Sequence, residues 1–300
     1  MSNQTSIGFI GLGQMGAPMA ERLLAPDIRL LVHDPRPEAM RPFTARGAIA
    51  CATPAAMAAE AQIIFTCLPS AEISEAVAAQ LTAGPALRIY AELSTIGREA
   101  VARIAALLAP HGIACVDAPI SGGPAGARAG TLAMMSSGPP EAVAALRPWQ
   151  LRIGRQVFVL GEQPGQAQVM KLVNNLLFAA NVTTAFEAFA MGAKAGLDAD
   201  AMLAMVNAGT GRSMVTEQVM EEVIAGRFRF GATVAILDKD VSHGLAEAAS
   251  LGVPMWTLEQ MGRLWRFAMT QGNSAEDLTT LARIIEGWAH TSIRRPTAAE

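Results

Sequence analysis

The 300-residue chain holds few of the residues that usually announce a site: three lysines, three cysteines, four histidines and one tyrosine. Cys51, Cys67 and Cys115 sit singly among apolar neighbours without CxxC spacing. They build no disulfide framework and read as buried reduced thiols. His33, His111, His243 and His290 show no ligand spacing, so no metal site is expected. Charged residues make up only 16% of the chain, with a net charge of −3. That balance excludes the basic field that nucleic acid or an anionic membrane would need. No run of about 18 apolar residues is free of a charge or a breaker, so no membrane span is expected. The polar residues 1–6 lead directly into an apolar strand, which gives no targeting segment and a cytoplasmic expectation.

Only Lys171, Lys194 and Lys239 are lysine among the 23 basic residues. Arginine keeps its proton near neutral pH, whereas a desolvated lysine releases it. Each lysine is therefore a candidate for titratable chemistry.

What is abundant is apolar residues, at 51% of the chain. That fraction supports a sizeable core, and the length fits one large domain or two unequal ones. Short apolar runs at 6–12, 29–33, 63–67, 88–93, 113–117, 131–136 and 156–160 read as strands. Helical periodicity at 15–24, 73–81 and 98–108 alternates with them, which predicts an α/β domain with a parallel sheet covered on both faces. Beyond residue 160 the strand signal stops. A long helix is predicted from 166 to about 192, then helices at 199–207, 233–250, 255–271 and 275–290, the last capped by Ser274. The reading is a Rossmann-type domain over 1–163 and an all-helical domain over 164–300, the two joined by a long helix at 164–193. The tail 294–300 is expected to fray.

Gly11-x-Gly13-x-x-Gly16 lies where the first strand gives way to a helix, the setting in which this spacing binds a dinucleotide. Gly11 allows the tight turn, Gly13 lets the backbone approach pyrophosphate, and Gly16 lets helix and strand pack closely. Leu12, Gln14 and Met15 complete the turn, and Leu68 and Pro69 follow the third predicted strand as further cofactor contacts. Asp34 lies 23 residues after Gly11, near the spacing of a carboxylate that takes the ribose hydroxyls. A carboxylate there repels a 2′-phosphate, which favours NAD; Arg36 is placed to reach such a phosphate and keeps NADP open.

The stretch 117–131 carries Gly122, Gly123, Gly126 and Gly130. Successive N–H groups in a turn of that kind form an anion site, and with the Ser121 hydroxyl they could hold a carboxylate. A plain connecting loop is the alternative. Lys171 and Asn175 fall on one face of the long helix among apolar residues, where a polar partner or a cavity is required. An amine there could protonate a carbonyl oxygen as hydride reaches the carbon; a solvated lysine is the other reading. Lys239 either pairs with Asp238 on the surface or helps to close a site.

Taken together, these segments resemble the β-hydroxyacid dehydrogenases, the group of 3-hydroxyisobutyrate dehydrogenase and tartronate semialdehyde reductase. The resemblance runs from about residue 6 to 287. It lies in Gly8-Phe-Ile-Gly-Leu-Gly-Gln-Met-Gly-Ala-Pro-Met-Ala20, Ser94-Thr-Ile96, Asp117-Ala-Pro-Ile-Ser-Gly-Gly123, Lys171-Leu-Val-Asn-Asn175 and Lys239-Asp240. It implies an NAD(P)-dependent oxidoreductase of small 3-hydroxy acids or their semialdehydes. Lys171 would be its general acid/base and Asn175 would assist. Ser121, Gly122 and Gly123, with Lys239, would bind the substrate carboxylate. Thr95 and Lys239 would line the nicotinamide end, and the protein would form a homodimer or homotetramer. Ala167 and Glu92 depart from the pattern, where Gly and Asp are common. Rival readings are an imine reductase or a short 6-phosphogluconate dehydrogenase on the same scaffold, and a non-catalytic NAD(P)-binding sensor.

Overall fold

The computed structural model describes residues 4–295. They divide into two compact units, with the boundary between Lys171 and Leu172. In the first, strands and helices alternate: β1 (Thr5–Ile10), α1 (Gly16–Glu21), β2 (Ile28–His33), α2 (Pro37–Thr44), β3 (Ile49–Ala50), α3 (Pro54–Ala58), β4 (Ile63–Thr66), α4 (Ala71–Leu81), β5 (Ile89–Glu92), α5 (Arg98–Leu108), β6 (Ala114–Asp117), β7 (Ile120–Ser121), α6 (Gly123–Ala129), β8 (Leu132–Ser137), α7 (Pro140–Ile153) and β9 (Gly154–Gly161). The long helix α8 (Gln166–Lys194) follows.

The sheet runs β3-β2-β1-β4-β5-β6-β8-β7, with β9 on β8. The strands from β3 to β6 are parallel, as the alternation predicts. Beyond them β8 lies antiparallel to both β6 and β7, so the sheet is mixed at that end. Both faces are apolar because both are covered. Phe9, Val32, Phe65, Ala91 and Val116 pack on one side, with the Phe9 and Phe65 rings 6.2 Å apart. Ile10, Leu31, Ile64, Tyr90 and Cys115 pack on the other. At about 25 cal/mol per Å² of apolar surface, each buried Phe contributes roughly 2–3 kcal/mol against its exposed state.

In the second unit, α9 (Ala199–Ala208), α10 (Met220–Ile224), α11 (Val234–Ser250), α12 (Trp256–Thr270) and α13 (Leu281–Ala289) surround a core of Phe186, Val219, Val241, Trp265 and Leu281. One π-helical turn, Val215–Val219, precedes α10. By length and hydropathy alone α8 could span a bilayer. Its Ala179, Val182, Phe186 and Phe189, however, belong to this core.

Three expectations need correction. Ser274 does not cap the last helix; its carbonyl accepts from the Ala235 N–H. Asp277 instead caps a 3-10 turn, Leu278–Thr280, taking the Thr279 N–H at 3.0 Å and its hydroxyl at 2.6 Å, and α13 starts only at Leu281. The stretch 117–131 is not a plain loop, for it holds β7 and α6. Of the tail, Arg295 is tied down: it meets Asp200 at 2.7 Å and Glu221 at 2.9 Å. Residues 296–300 lie outside the described part.

Candidate active site

In the sheet unit, register places the strand ends in one row. His33, Ile10, Thr66, Glu92 and Asp117 pair in turn across β2, β1, β4, β5 and β6. Everything that follows these strands leaves from the same carboxyl edge. The strand order reverses between β1 and β4, the place where open parallel sheets bind ligands.

The glycine turn sits at that point. Gly11 has φ +92°, and a Cβ on it would lie 2.2 Å from the Cys67 carbonyl oxygen. A Cβ on Gly16 would lie 1.8 Å from the Gly11 carbonyl oxygen. Neither position admits a side chain without a shift of the turn. A Cβ on Gly13 would meet nothing within 4 Å, and Gly13 and Gln14 are exposed, so this part of the turn is open to a ligand. The cradle therefore fits a dinucleotide phosphate on steric grounds as well as by spacing.

Asp34 follows β2 and is 5% exposed. Its Oδ2 accepts the Leu12 N–H at 2.8 Å, which binds it to the glycine turn. Its Oδ1 accepts Arg36 Nε at 2.9 Å and the Arg36 N–H at 3.0 Å. Burial works to raise this carboxyl, but the Arg36 guanidinium and the two backbone N–H groups outweigh it and hold Asp34 below the usual carboxylate range.

The segment expected at the nicotinamide end rests on a buried polar network. The Leu68 N–H donates to Ser94 Oγ at 2.7 Å, the Ser94 N–H to Glu92 Oε1 at 2.9 Å, and the Tyr90 hydroxyl to Glu92 Oε2 at 2.6 Å. Burial raises Glu92 and Tyr90 alike. Thr95 and Leu68 are half-buried above this network and Pro69 is exposed.

Asp117, fully buried at the end of β6, receives the start of α8. It accepts the Gly165 and Gln168 N–H groups at 3.1 and 2.8 Å. Gln168 in turn reaches Ser94, Ile96 and Gly97. The first turns of α8 through half-buried Lys171 thus count with the sheet. Ser121 ends β7 opposite Ala133 of β8, while Asp117 lies opposite Ser137. The short strand therefore carries Ser121 past the row of strand ends. Gly122 and Gly123 follow with φ of +131° and +62°, both exposed.

In the helical unit, Asn175 Nδ2 donates to Asp240 Oδ2 at 2.7 Å, and both residues are buried. Lys239 pairs with Asp240 at 3.3 Å. Asp238, on the same helix, pairs with Arg266 of α12 at 3.1 Å. Among the described residues no group of three or more His, Cys, Asp or Glu could hold a metal ion.

Comparison with known proteins bears on this geometry directly. Residues 6–161 match the NAD binding domain of 6-phosphogluconate dehydrogenase, and residues 165–285 match the NAD-binding domain of NADP-dependent 3-hydroxyisobutyrate dehydrogenase. The 2-(hydroxymethyl)glutarate dehydrogenase of Eubacterium barkeri is 31% identical over 98% of this chain and 99% of its own. The chain belongs to the β-hydroxyacid dehydrogenase family. An NAD-dependent L-serine dehydrogenase of Pseudomonas aeruginosa is 32% identical over 93% of this chain and 97% of its own. A solved 3-hydroxyisobutyrate dehydrogenase of Mycobacterium tuberculosis, described with L-serine, superposes with a TM-score of 0.86 at 26% identity, covering 94% of this chain and 99% of that one. As a β-hydroxyacid dehydrogenase the chain is an NAD(P)-dependent oxidoreductase acting on CH–OH groups of small hydroxy acids.

Sequence reasoning gave no hydrogen-bonding role to four buried polar side chains of this β-hydroxyacid dehydrogenase: Glu92, Tyr90, Asp117 and Gln168. A signal existed for two of them. Glu92 and Asp117 each end an apolar strand with a carboxylate, and such a group inside a sheet demands partners.

Proposed function

We propose that this β-hydroxyacid dehydrogenase acts on a small 3-hydroxy carboxylate or its semialdehyde, with Lys171 as general acid/base. The observation that carries the reading is the anchoring of the Lys171 turn: Gln168, three residues before it, is hydrogen-bonded to Ser94, Ile96 and Gly97 on either side of Thr95. The lysine is thus fixed at the carboxyl edge that holds the glycine cradle.

The cradle residues Gly11 to Gly16, with Asp34, Leu68, Pro69 and Thr95, would hold the dinucleotide. When bound, its nicotinamide accepts or supplies the hydride. Lys171 takes the alcohol proton as the C–H bond breaks and returns it in the reverse direction. Ser121 and the N–H groups of Gly122 and Gly123 hold the carboxylate. Asn175 orients the reacting oxygen, its carboxamide held by Asp240, and Lys239 serves the nicotinamide end. The named relatives act on 2-(hydroxymethyl)glutarate and L-serine, which share a carboxylate one carbon away from the hydroxymethyl group. That shared geometry supports the substrate class. Asp34 supports NAD over NADP. The protein works as a homodimer or homotetramer in the cytoplasm, a location supported by its free cysteines.

Lys171 speaks against an imine reductase, whose chemistry needs no alcohol deprotonation. Arg128 is the only basic residue in 117–131, too few for a sugar phosphate. The test is an absorbance screen at the reduced-nicotinamide band, with a panel of hydroxy acids and semialdehydes and both cofactors. Lys171→Ala should lower kcat by about 10²- to 10⁴-fold and leave dinucleotide affinity intact. Near-full turnover in that variant refutes the assignment, and binding without turnover across the panel favours a sensor.

A further inference from the structure

Gln168 is fully buried, and its carboxamide has every donor and acceptor engaged. Oε1 accepts the N–H groups of Ile96 and Gly97, each at 3.0 Å. Nε2 donates to the Ser94 carbonyl at 2.9 Å and to Asp117 Oδ1 at 2.8 Å. A carboxamide offers two N–H donors and one oxygen with two lone pairs, so none is left over. Asp117 Oδ2, the other oxygen, accepts the Gln168 N–H, the Gly165 N–H and, at 3.3 Å, the Ser137 hydroxyl. Two segments more than 70 residues apart in sequence are joined in this way: the stretch 94–97 after β5 and the opening turn of α8. Lys171 stands one helical turn further on, beside Gln168.

An apolar side chain of similar volume would fill this space but leave the Ile96 and Gly97 N–H groups, the Ser94 carbonyl and Asp117 Oδ1 without this partner. A fully satisfied buried network does something more, for it admits one geometry. We infer that Gln168 is a positioning residue, whose carboxamide fixes the register between the Lys171 turn and the Thr95 segment and so sets where the amine stands. The inference rests on Lys171 being the acid/base. It matters because displacing a reacting group by about 1 Å costs about 10²-fold in rate.

The network allows a reciprocal test. Gln168→Glu keeps the volume and the bonds to Ile96 and Gly97, but it loses both donors and sets an acceptor against Asp117. Asp117→Asn in the same chain supplies a donor at the Oδ1 position, and its remaining oxygen still serves the contacts of Oδ2. Q168E should lower kcat by about 10- to 100-fold, leave dinucleotide affinity within about threefold, and move the limb of the pH–rate profile that belongs to Lys171. D117N/Q168E should regain at least about fivefold of the lost rate and return that limb toward its original position. Gln168→Asn is too short to span the gap and releases Ile96 and Gly97. Amide hydrogen exchange at those two residues should quicken by about tenfold or more in the cofactor-free protein, whether or not Q168E folds.

Lowered thermal stability with kcat and the pH limb unmoved would overturn the inference, as would a double variant no better than Q168E, or unchanged exchange in Q168N. Lys171→Ala, run beside these, separates the two claims. If it keeps turnover, the acid/base assignment falls. If it is inactive while Q168E is fully active, only the positioning role falls.

Discussion

Asp34 serves two partners at once. Its Oδ2 holds the Leu12 N–H and so shapes the glycine turn, while the Arg36 guanidinium donates to both carboxylate oxygens. Arg36 is thereby occupied by a carboxylate rather than left for a 2′-phosphate, which answers the ambiguity its presence creates in the sequence. Asp34→Ser should remove the repulsion and free the guanidinium together. The ratio of kcat/KM for NAD to that for NADP should fall by about 10- to 100-fold, measured under identical conditions. An unchanged ratio, or a wild-type preference for NADP, would show that Asp34 does not select the cofactor.

Asp117 behaves in the opposite sense. Burial pushes its carboxyl up to about 7, against the hydrogen bonds from Gln168 and Ser137 and with Glu92 adding to the rise. Its pKa in the folded state thus lies above that of the unfolded chain, near 3.9. The folded protein holds the extra proton between about pH 4 and pH 7. Stability from this group is fully present below that window and is lost as pH rises through it. A ¹³C titration of the Asp117 carboxyl should show a midpoint near 7; an ordinary midpoint near 4 would defeat the argument.

At the scale of elements, the turn between β1 and α1 is where sequence and structure agree most closely. Gly16→Ala puts a methyl 1.8 Å from the backbone carbonyl oxygen of Gly11, a residue whose N–H is bonded to the His33 carbonyl of β2. Overpacking of this kind costs about 1–3 kcal/mol and must displace the turn. The variant should melt lower and bind dinucleotide at least about tenfold more weakly by fluorescence titration. Unaltered affinity would mean that the close packing of helix and strand does not shape the cradle. Elements with a plain period were equally legible: α5 spans Arg98–Leu108, as its apolar spacing predicts. Elements that break a local rule were not. α2 and α7 contain Pro42 and Pro148, a residue type that ordinarily interrupts a helix, yet both helices continue through them. β7 and α6 hide among glycines that read as loop, and Ser274 looked like a cap because Asp277, the true one, lies three residues further on. Lys171, Asn175 and Ser121 stood out as polar groups in apolar or glycine-rich surroundings. Gln168 did not, since nothing local shows that it lies at the end of a sheet.

For the whole molecule the telling contrast is between what each unit buries and what the helical one leaves in water. Trp265 and Phe186 are fully buried there, but Met191 is 73% exposed, Trp256 83% and Trp288 57%. Met191 and Trp288 line a groove of about 640 Å³ between the far end of α8 and α13, together with Lys194 and Ile285. Large exposed side chains in one groove are what an assembly of copies would cover, since a stable interface buries about 1,200–2,000 Å² in total. A charge introduced at Met191 separates two cases. In a lone chain the position faces water, so Met191→Glu should leave the melting temperature within a degree or two. In an assembly the same carboxylate would be desolvated without a partner, at a cost of several kcal/mol. We therefore expect light scattering to give a multiple of 31.4 kDa for the natural protein and the single-chain mass for M191E, with helix content by circular dichroism unchanged. A natural protein that runs as one chain would refute the oligomer, whereas an M191E that stays assembled would move the interface elsewhere on the helical unit.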